Sequence, residues 1–180
     1  MSVLVTGGIG YIGSHVSRLL QDRGEEVVVI DNLSAGDSSR LGNARLFELD
    51  LADASAVDEL GSIMRAHGVT SVIHLAARKQ VGQSVEEPEF YYSQNIGGMV
   101  NLLTAMRDNK VDRLVFSSSA ATYGNPSEPT VDEDYDCHPI NPYGESKLMF
   151  EKMLQWYQQI HGLEFIAFRY FNAAGASDRF

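Results

Sequence analysis

The sequence predicts an α/β fold, a doubly wound parallel sheet with helices on both faces. Two observations carry this prediction. Short runs rich in β-branched residues alternate along the chain with longer segments in which apolar residues recur at helical spacing. A glycine-rich turn directly follows the first of these runs and opens the first helical segment. Strands that alternate with helices form βαβ units, and their right-handed crossovers make the sheet parallel.

The elements follow one another in a regular order. Six strands are predicted, at residues 3–6, 27–31, 45–49, 71–76, 113–118 and 164–170. Four helices are predicted between them, at residues 11–22, 54–66, 88–108 and 141–161. In the first helix Ile12, Val16, Leu19 and Leu20 recur at helical spacing, and Gly24 follows as a stop signal.

The composition is that of a globular chain with a hydrophobic core. Of the 180 residues, 44% are hydrophobic and 21% are charged, which argues against disorder. The net charge of −10 disfavours binding to nucleic acid or to an anionic membrane. The single cysteine, Cys137, excludes an internal disulfide and predicts a cytoplasmic location. Because the sequence has no long apolar run, we expect no membrane span, and we expect residues 1–180 to form one domain.

The glycine-rich turn predicts a dinucleotide site. Residues 6–13 read TGGIGYIG, which contains both G-x-G-x-x-G and G-x-x-G-x-x-G. Glycines permit a tight turn, the close approach of a pyrophosphate, and close packing of helix on strand. The helix N-terminus then attracts the phosphates. Gly7, Gly10 and Gly13 are therefore candidate cofactor-binding residues of a Rossmann-type fold.

The second strand ends in an acidic residue, Asp31. A carboxylate about 20 residues after the glycine turn accepts hydrogen bonds from the adenosine ribose of NAD, and it repels the 2′-phosphate of NADP. The sequence therefore predicts NAD as the cofactor. The alternative interpretation is that Asp31 only caps the end of the strand.

A serine, a tyrosine and a lysine form a candidate catalytic set. Ser119 follows the fifth strand, and the spacing of Tyr143 and Lys147 places both on one face of the last helix. A lysine ammonium near a phenol lowers the pKa of that phenol, so Tyr143 is expected to act as the base toward a substrate hydroxyl. Ser119 is expected to hydrogen-bond the same hydroxyl. The alternative is coincidence, since Y-x-x-x-K occurs often by chance.

The sequence predicts no metal site. The five histidines show no ligand spacing. An acidic cluster lies in the longest irregular stretch, residues 123–142, and consists of Asp132, Glu133, Asp134 and Asp136. We interpret this cluster as a solvated loop, because no histidine or cysteine ligand geometry accompanies it.

With these motifs in view, the chain resembles the extended short-chain dehydrogenase/reductase family, and within it the nucleotide-sugar epimerases, over residues 1–177. The most specific segments are VTGGIGYIGSH, VVVIDNLSAG, HLAARKQVGQSVEEP, FSSSAATYGNP, NPYGESK and FRYFNAAGA. The resemblance implies that Ser119, Tyr143 and Lys147 are catalytic and that Ser119, Tyr143 and Asn172 face the substrate. It implies that the further cofactor-binding residues are Tyr11, Ile12, Asn32, Leu33, Ser34, Ala35, Gly36, Asp50, Leu51, Leu75, Ala76, Ala77, Arg78, Lys79, Asn95, Ser117, Tyr170 and Phe171, together with Tyr143 and Lys147.

The resemblance also implies an activity, the NAD-dependent interconversion of UDP-glucose and UDP-galactose by epimerisation at sugar C4, with a UDP-sugar as the substrate. Ala120-Ala121 stand where related dehydratases carry an Asp-Glu pair, which speaks against dehydration. Two alternatives stay open: an epimerase acting on UDP-glucuronate or UDP-N-acetylglucosamine, and a non-catalytic NAD-binding module. Family members continue into a smaller substrate domain beyond the point where this sequence stops. We therefore expect most sugar contacts to lie outside it.

Two predicted helices carry more apolar positions than one sheet can cover. A helix that faces only a sheet needs an apolar arc of about 100°, and the apolar residues of helices 88–108 and 141–161 cover wider arcs. We therefore predict a homodimer in which two such helix pairs form a four-helix bundle, as is usual in the family that the chain resembles. Met99→Glu and Met153→Glu are expected to disturb it. The alternative is that a further domain or loop covers the excess surface.

Overall fold

The computed structural model describes residues 1–177 and contains one six-stranded sheet. The strands are β1 (Ser2–Thr6), β2 (Glu26–Asp31), β3 (Arg45–Glu48), β4 (Val69–His74), β5 (Arg113–Ser119) and β6 (Glu164–Tyr170). They lie in the order β3-β2-β1-β4-β5-β6, and every neighbouring pair is parallel. The predicted doubly wound parallel sheet is confirmed.

The helices also follow the predicted order. They are α1 (Tyr11–Asp22), α2 (Ala56–Ala66), α3 (Val81–Glu86), α4 (Pro88–Tyr91), α5 (Gly98–Asp108) and α6 (Pro142–His161). The predicted helix 88–108 is continuous but contains a π-helical segment, Tyr92–Gly97, between α4 and α5. The short α3 was not predicted, and β4 begins and ends two residues before its predicted bounds.

Two hydrophobic layers hold the sheet between helices. Neighbouring residues of a strand point to opposite faces, so Leu4 belongs to a large cluster with α2, α5 and α6, whereas Val3 and Val5 belong to a smaller cluster with Leu20 of α1. The side of α1 that is buried consists of Gly13, Ser14 and Ser17. Leu19, which we placed in an apolar stripe, is 52% exposed, because it lies on the side of α1 opposite these buried residues.

The same layers correct the predicted dimer surface. Met99 has no exposed surface, since it lies in one core cluster with Ala56, Leu60 and Met64 of α2. The prediction that Met99 faces a partner is therefore wrong: α2 already covers that side of α5. The exposed apolar surface on α6 is carried by Trp156 and Ile160, at 62% and 67% exposure.

The order of the strands determines where a ligand-binding crevice opens along the edge of the sheet. The chain builds outward from β1 to β2 and β3, and then returns to β4 on the other side of β1. In parallel α/β sheets a crevice opens at such a reversal, beyond the carboxyl ends of the strands. The glycine turn, Asp31 and Ser119 stand at those ends.

Local signals fix the start of α6, the helix that carries Tyr143 and Lys147. The Asn141 side chain accepts a hydrogen bond of 2.8 Å from the Gly144 N–H, and Pro142 occupies the first helical position. Gly162, with a φ of 72°, ends the helix in the left-handed conformation. Among the residues that the structure describes, none of these helices is long and apolar enough to cross a membrane.

Candidate cofactor cleft and Ser-Tyr-Lys site

A single cleft of about 680 Å³ lies at the carboxyl edge of the sheet and gathers most of the predicted site residues. Its walls include the predicted residues Gly7, Gly10, Tyr11, Ile12, Gly13, Asp31, Asn32, Ser34, Ala35, Asp50, Leu51, Leu75, Ala76, Ala77, Arg78, Lys79, Asn95, Ser117, Ser119, Tyr143, Lys147, Tyr170, Phe171 and Asn172. Leu33 and Gly36 are not among the residues that line it. The candidate cofactor residues and the candidate catalytic residues therefore share one cavity.

The glycine turn is shaped by a lack of space for side chains. Gly7 has a φ of +71°, and a Cβ atom placed on it would lie 2.7 Å from the Ala76 backbone nitrogen of the neighbouring strand end. A Cβ on Gly13 would collide with the Gly7 carbonyl. No side chain within residues 1–177 caps the start of α1, whose first N–H groups lack partners inside the helix. The turn fits a pyrophosphate in both space and charge.

Asp31 is held in place by two backbone donors. Its Oδ2 accepts a hydrogen bond of 3.2 Å from the Ile9 N–H, and its Oδ1 accepts one of 3.0 Å from the Leu33 N–H. Burial raises the pKa of the Asp31 carboxyl, and these backbone hydrogen bonds act in the opposite direction. Each carboxylate oxygen has a further lone pair, so the carboxylate can still accept hydrogen bonds from a ribose.

Two predicted cofactor residues that do not line the cleft support it from behind. Leu33 adopts a positive φ of 57°, and its N–H donates to Asp31. Gly36 lies against the Ile9 carbonyl without room for a Cβ atom, and the next residue donates to that carbonyl at 3.0 Å. Gly36 thus packs the loop after β2 against the glycine turn, whereas Leu33 joins that loop to Asp31. A direct contact of either residue with the cofactor stays a prediction.

The candidate catalytic residues meet where α6 crosses the end of β5. Burial raises the pKa of the Tyr143 phenol; a hydrogen bond with the Ser119 side chain lowers it, and Tyr91 raises it further. The prediction that Tyr143, as a neighbour of Lys147, has a lowered pKa is therefore wrong for this structure, because burial of the phenol has the larger effect. Spacing along the helix predicted that the two residues are neighbours, but it could not predict how strongly the phenol is desolvated. A lowering by an oxidised nicotinamide ring stays a prediction.

Lys147 is only 2% exposed and its ammonium is turned toward the strand. Nζ donates a hydrogen bond of 2.7 Å to the Ser117 carbonyl, and it lies 5.9 Å from the centre of the Tyr143 ring. Burial lowers the pKa of Lys147 to about 7. The lysine is thus able to gain or lose a proton near neutral pH, beside the phenol and at the wall of the cleft.

Several buried residues that line the cleft were not predicted as site residues, His74 and Tyr91 among them. His74, at the end of β4, shares a hydrogen bond of 2.7 Å with the Thr6 hydroxyl, and its burial lowers its pKa to about 3. Tyr91 donates through its hydroxyl to the Gln80 carbonyl at 2.8 Å. The position of His74 at a strand end was a usable signal. Tyr91 gave none, because it was counted as one apolar position among many on its helix.

Asn95, a predicted cofactor-binding residue, uses its side chain to hydrogen-bond other residues of the protein. It lies in the π-helical segment, a feature that often marks functional sites. Its side-chain oxygen accepts from the Arg78 N–H at 2.8 Å, and its amide donates to the Arg78 carbonyl at 3.1 Å and to the Ser146 hydroxyl at 3.3 Å. Asn95 thus joins the segment after β4 to α6. Its direct contact with the cofactor stays a prediction.

The cleft is also lined by Tyr170, the last residue of β6, and by Phe171 and Asn172, which follow it. Phe171 is 69% exposed. The Tyr11 hydroxyl donates a hydrogen bond of 2.6 Å to the Gly175 carbonyl, which joins this segment to the start of α1. Within the described residues no three histidine, cysteine or acidic side chains are grouped as metal ligands.

The fold and the cleft place the chain in a class, the Rossmann-fold proteins that bind nucleotides. Residues 3–180 match the NAD dependent epimerase/dehydratase family, and the chain belongs to this family. It is 45% identical over 176 residues to the UDP-glucose 4-epimerase of Halalkalibacterium halodurans, covering 98% of this chain and 52% of the relative. It is 46% identical over 178 residues to that of Lactobacillus helveticus, covering 98% of this chain and 53% of the relative. The resemblance to nucleotide-sugar epimerases is thus confirmed.

The structure is similar to solved structures of the same kind. The UDP-glucose 4-epimerase of Brucella ovis, crystallised in complex with NAD, has a TM-score of 0.93 and 45% identity over 98% of this chain and 53% of its own. The chain thus spans about half the length of the relatives that it matches.

Proposed function

We propose that residues 1–180 form the NAD-binding domain of a UDP-glucose 4-epimerase, which interconverts UDP-glucose and UDP-galactose. The observation that carries the proposal is the meeting of Ser119, Tyr143 and Lys147 in the same cleft as the glycine turn and Asp31. The name shared by relatives that are 45% and 46% identical supports it. The part of those relatives outside the match is expected to complete the sugar site.

We assign a proposed role to the main residues of the candidate site. When bound, NAD would supply the acceptor and donor of the hydride exchanged with sugar C4. Gly7, Gly10 and Gly13 would hold its pyrophosphate, and Asp31 its adenosine ribose. Tyr143 would remove the proton from the C4 hydroxyl and later return it. Ser119 would hydrogen-bond the oxygen on which charge develops.

Lys147 supports Tyr143 from the buried side. Its ammonium lies near the phenol ring and is anchored on the Ser117 carbonyl. A protonated Lys147 would stabilise the tyrosinate by charge. Because burial brings its pKa to about 7, this support is expected to decline as Lys147 loses its proton above neutral pH.

Two measurements test the proposal. Calorimetric titration of this chain with NAD tests the cofactor, and we expect binding to NAD and weaker binding to NADP. Epimerisation of UDP-galactose by the protein that contains this chain tests the activity. Failure of the chain to bind NAD, or equal affinity for both dinucleotides, contradicts the cofactor proposal. Binding of NAD without turnover in the longer protein favours the alternative, a non-catalytic NAD-binding module.

We also propose that the protein is a homodimer through α6 and that it is cytoplasmic. The dimer rests on the exposed apolar residues Trp156 and Ile160, and the location rests on the single cysteine. Light scattering of the protein should give the mass of a dimer, and Trp156→Glu combined with Ile160→Glu should give a monomer. A monomer without these substitutions contradicts the proposed dimer.

A further inference from the structure

Three consecutive serines of β5 each meet a different residue of α6. The Ser119 side chain interacts with Tyr143 and lowers the pKa of its phenol, the Ser117 carbonyl accepts from Lys147 at 2.7 Å, and the Ser118 hydroxyl donates to the Glu151 carboxylate. The three helix residues are four positions apart, so they stand one above the other on one helix face. The proposed catalysis uses the first two contacts and leaves the third, between Ser118 and Glu151, without a role.

Glu151 is held from its other side by β6. Arg169 donates from Nη2 to Oε2 at 2.7 Å and from Nε to Oε1 at 3.1 Å, a two-point ion pair. The Glu151 side chain is 9% exposed and that of Arg169 is 21% exposed. Glu151 therefore connects the strand that carries Ser119 to the helix that carries Tyr143, and connects both to β6.

Arg169 extends these contacts to the loop after β5. Its Nη1 donates to the Tyr123 hydroxyl at 3.1 Å and to the Glu133 carbonyl at 3.0 Å. Tyr123, which is 5% exposed, donates in turn to the Asp132 carbonyl at 3.0 Å. The same guanidinium thus fixes α6, through Glu151, and the loop that leads back to α6.

Stability does not by itself account for such a pair. Replacing a buried ion pair by apolar side chains of similar size is often neutral or stabilising, and the best-attested use of buried charges is to fix a register. Each residue along a helix advances it by about 1.5 Å, which exceeds the tolerance of a hydrogen bond. A contact that prevents sliding of α6 therefore determines whether Tyr143 and Lys147 meet their serines.

We propose that Glu151, held between Ser118 and Arg169, is a positioning residue that fixes the height of α6 against β5 and so brings Tyr143 to Ser119 and Lys147 to the Ser117 carbonyl. The inference rests on the proposed function in one respect, the catalytic role of Tyr143. Glu151 itself lies one turn beyond Lys147 on α6 and is not placed at the reacting atoms.

A matched pair of variants tests this inference on the chain itself. Glu151→Gln keeps the shape and one of the two accepting oxygens, Glu151→Leu keeps only the bulk, and both remove the same charge. Any electrostatic effect on Lys147 is therefore common to both. NMR of the chain labelled at its lysine side chains gives the pKa of Lys147, whose signal is the one missing from Lys147→Met.

We expect Glu151→Gln to leave the Lys147 pKa near its original value of about 7. We expect Glu151→Leu to raise it by about one unit, because a shifted helix exposes the ammonium to water. Equal values in the two variants overturn the inference, since a purely stabilising pair changes the melting temperature without moving Lys147.

A second variant covers the case in which Glu151→Leu does not fold. Ser118→Ala removes only the strand contact and leaves the ion pair and its charges intact, so we expect a smaller rise of the Lys147 pKa. A Lys147 pKa that is unchanged in Ser118→Ala contradicts the inference as well. The titration uses neither cofactor nor substrate, so its outcome is separate from that of the NAD and epimerisation experiments.

Discussion

The two halves of the cleft differ in whether backbone or side chains form their surface. In the half around the glycine turn, backbone forms the surface: Gly7 and Gly13 have no room for a Cβ atom, and backbone N–H groups hold Asp31. In the half around Tyr143, buried side chains form the surface, and burial raises the pKa of Tyr143 and lowers that of Lys147. The first half is a rigid shape, whereas the second depends on how side chains are packed and charged.

The difference implies that the two halves respond to different changes. A shape made by backbone is lost when a side chain is added, but it is indifferent to pH. A set of buried polar side chains keeps its shape through isosteric substitutions, but it loses chemistry when one oxygen is removed or one proton is gained. Substitutions in one half should therefore leave the property of the other half intact.

The largest expected effect comes from removing the Tyr143 hydroxyl. Tyr143→Phe keeps the ring in place and deletes the proposed acid/base oxygen, so turnover in the longer protein should fall by roughly two to four orders of magnitude. The affinity of this chain for NAD, measured by calorimetry, should stay within a factor of about two, since the glycine turn and Asp31 are unchanged. Near-normal turnover in Tyr143→Phe shows that the base is misassigned.

The second prediction concerns the half of the cleft that is formed by backbone, around the glycine turn. Gly7→Ala forces a side chain into a positive φ and within 2.7 Å of the Ala76 nitrogen. It should lower the free energy of unfolding by about 1–3 kcal/mol and abolish most NAD binding. Chemical denaturation and calorimetry measure the two effects. Gly82→Ala is the matched control, because that position has open space; wild-type NAD affinity in Gly7→Ala would contradict the prediction.

These two halves also differ in how far the sequence predicts them. Gly7, Gly13 and Asp31 were predicted with their roles in the fold, because short-range spacing after a strand determines a turn and a strand end. Ser119, Tyr143 and Lys147 were predicted as neighbours for the same reason. The direction in which the Tyr143 pKa shifts was not predicted, since the surroundings of the phenol come from residues far apart in the chain, including Tyr91.

Packing between distant helices explains the other errors. Helical periodicity located α5 but could not show that α2 covers Met99. It located α1 but not the side of that helix that is buried, which carries Ser14 and Ser17 and leaves Leu19 exposed. The pair of Glu151 and Arg169 was not predicted at all, because its partners come from three separate elements.

The third prediction concerns pH at the junction of the two halves, where His74 of β4 contacts Thr6 of β1. Burial lowers the pKa of His74 from 6.5 to about 3, so the unfolded chain binds a proton between these values that the folded chain does not. Stability is then lost as pH falls below 6.5. Relative to His74→Gln, the free energy of unfolding should drop by about 2 kcal/mol between pH 7.5 and pH 5. A pH-independent difference between the two proteins in urea denaturation contradicts this prediction.

The smallest effect is expected at Asp31, where a single side chain adds chemical selectivity to the backbone half. Its carboxylate is anchored by Ile9 and Leu33, and the residues that follow it, Asn32, Leu33 and Ser34, include no arginine to receive a 2′-phosphate. Asp31→Ala removes both the ribose contact and the repulsion, so NAD should bind about tenfold more weakly, equivalent to about 1.4 kcal/mol, and the gap between NAD and NADP should narrow. Calorimetric titration of NAD and NADP into the original chain and into Asp31→Ala measures both affinities. A gap that stays unchanged in Asp31→Ala would mean that backbone shape, rather than this carboxylate, selects the cofactor.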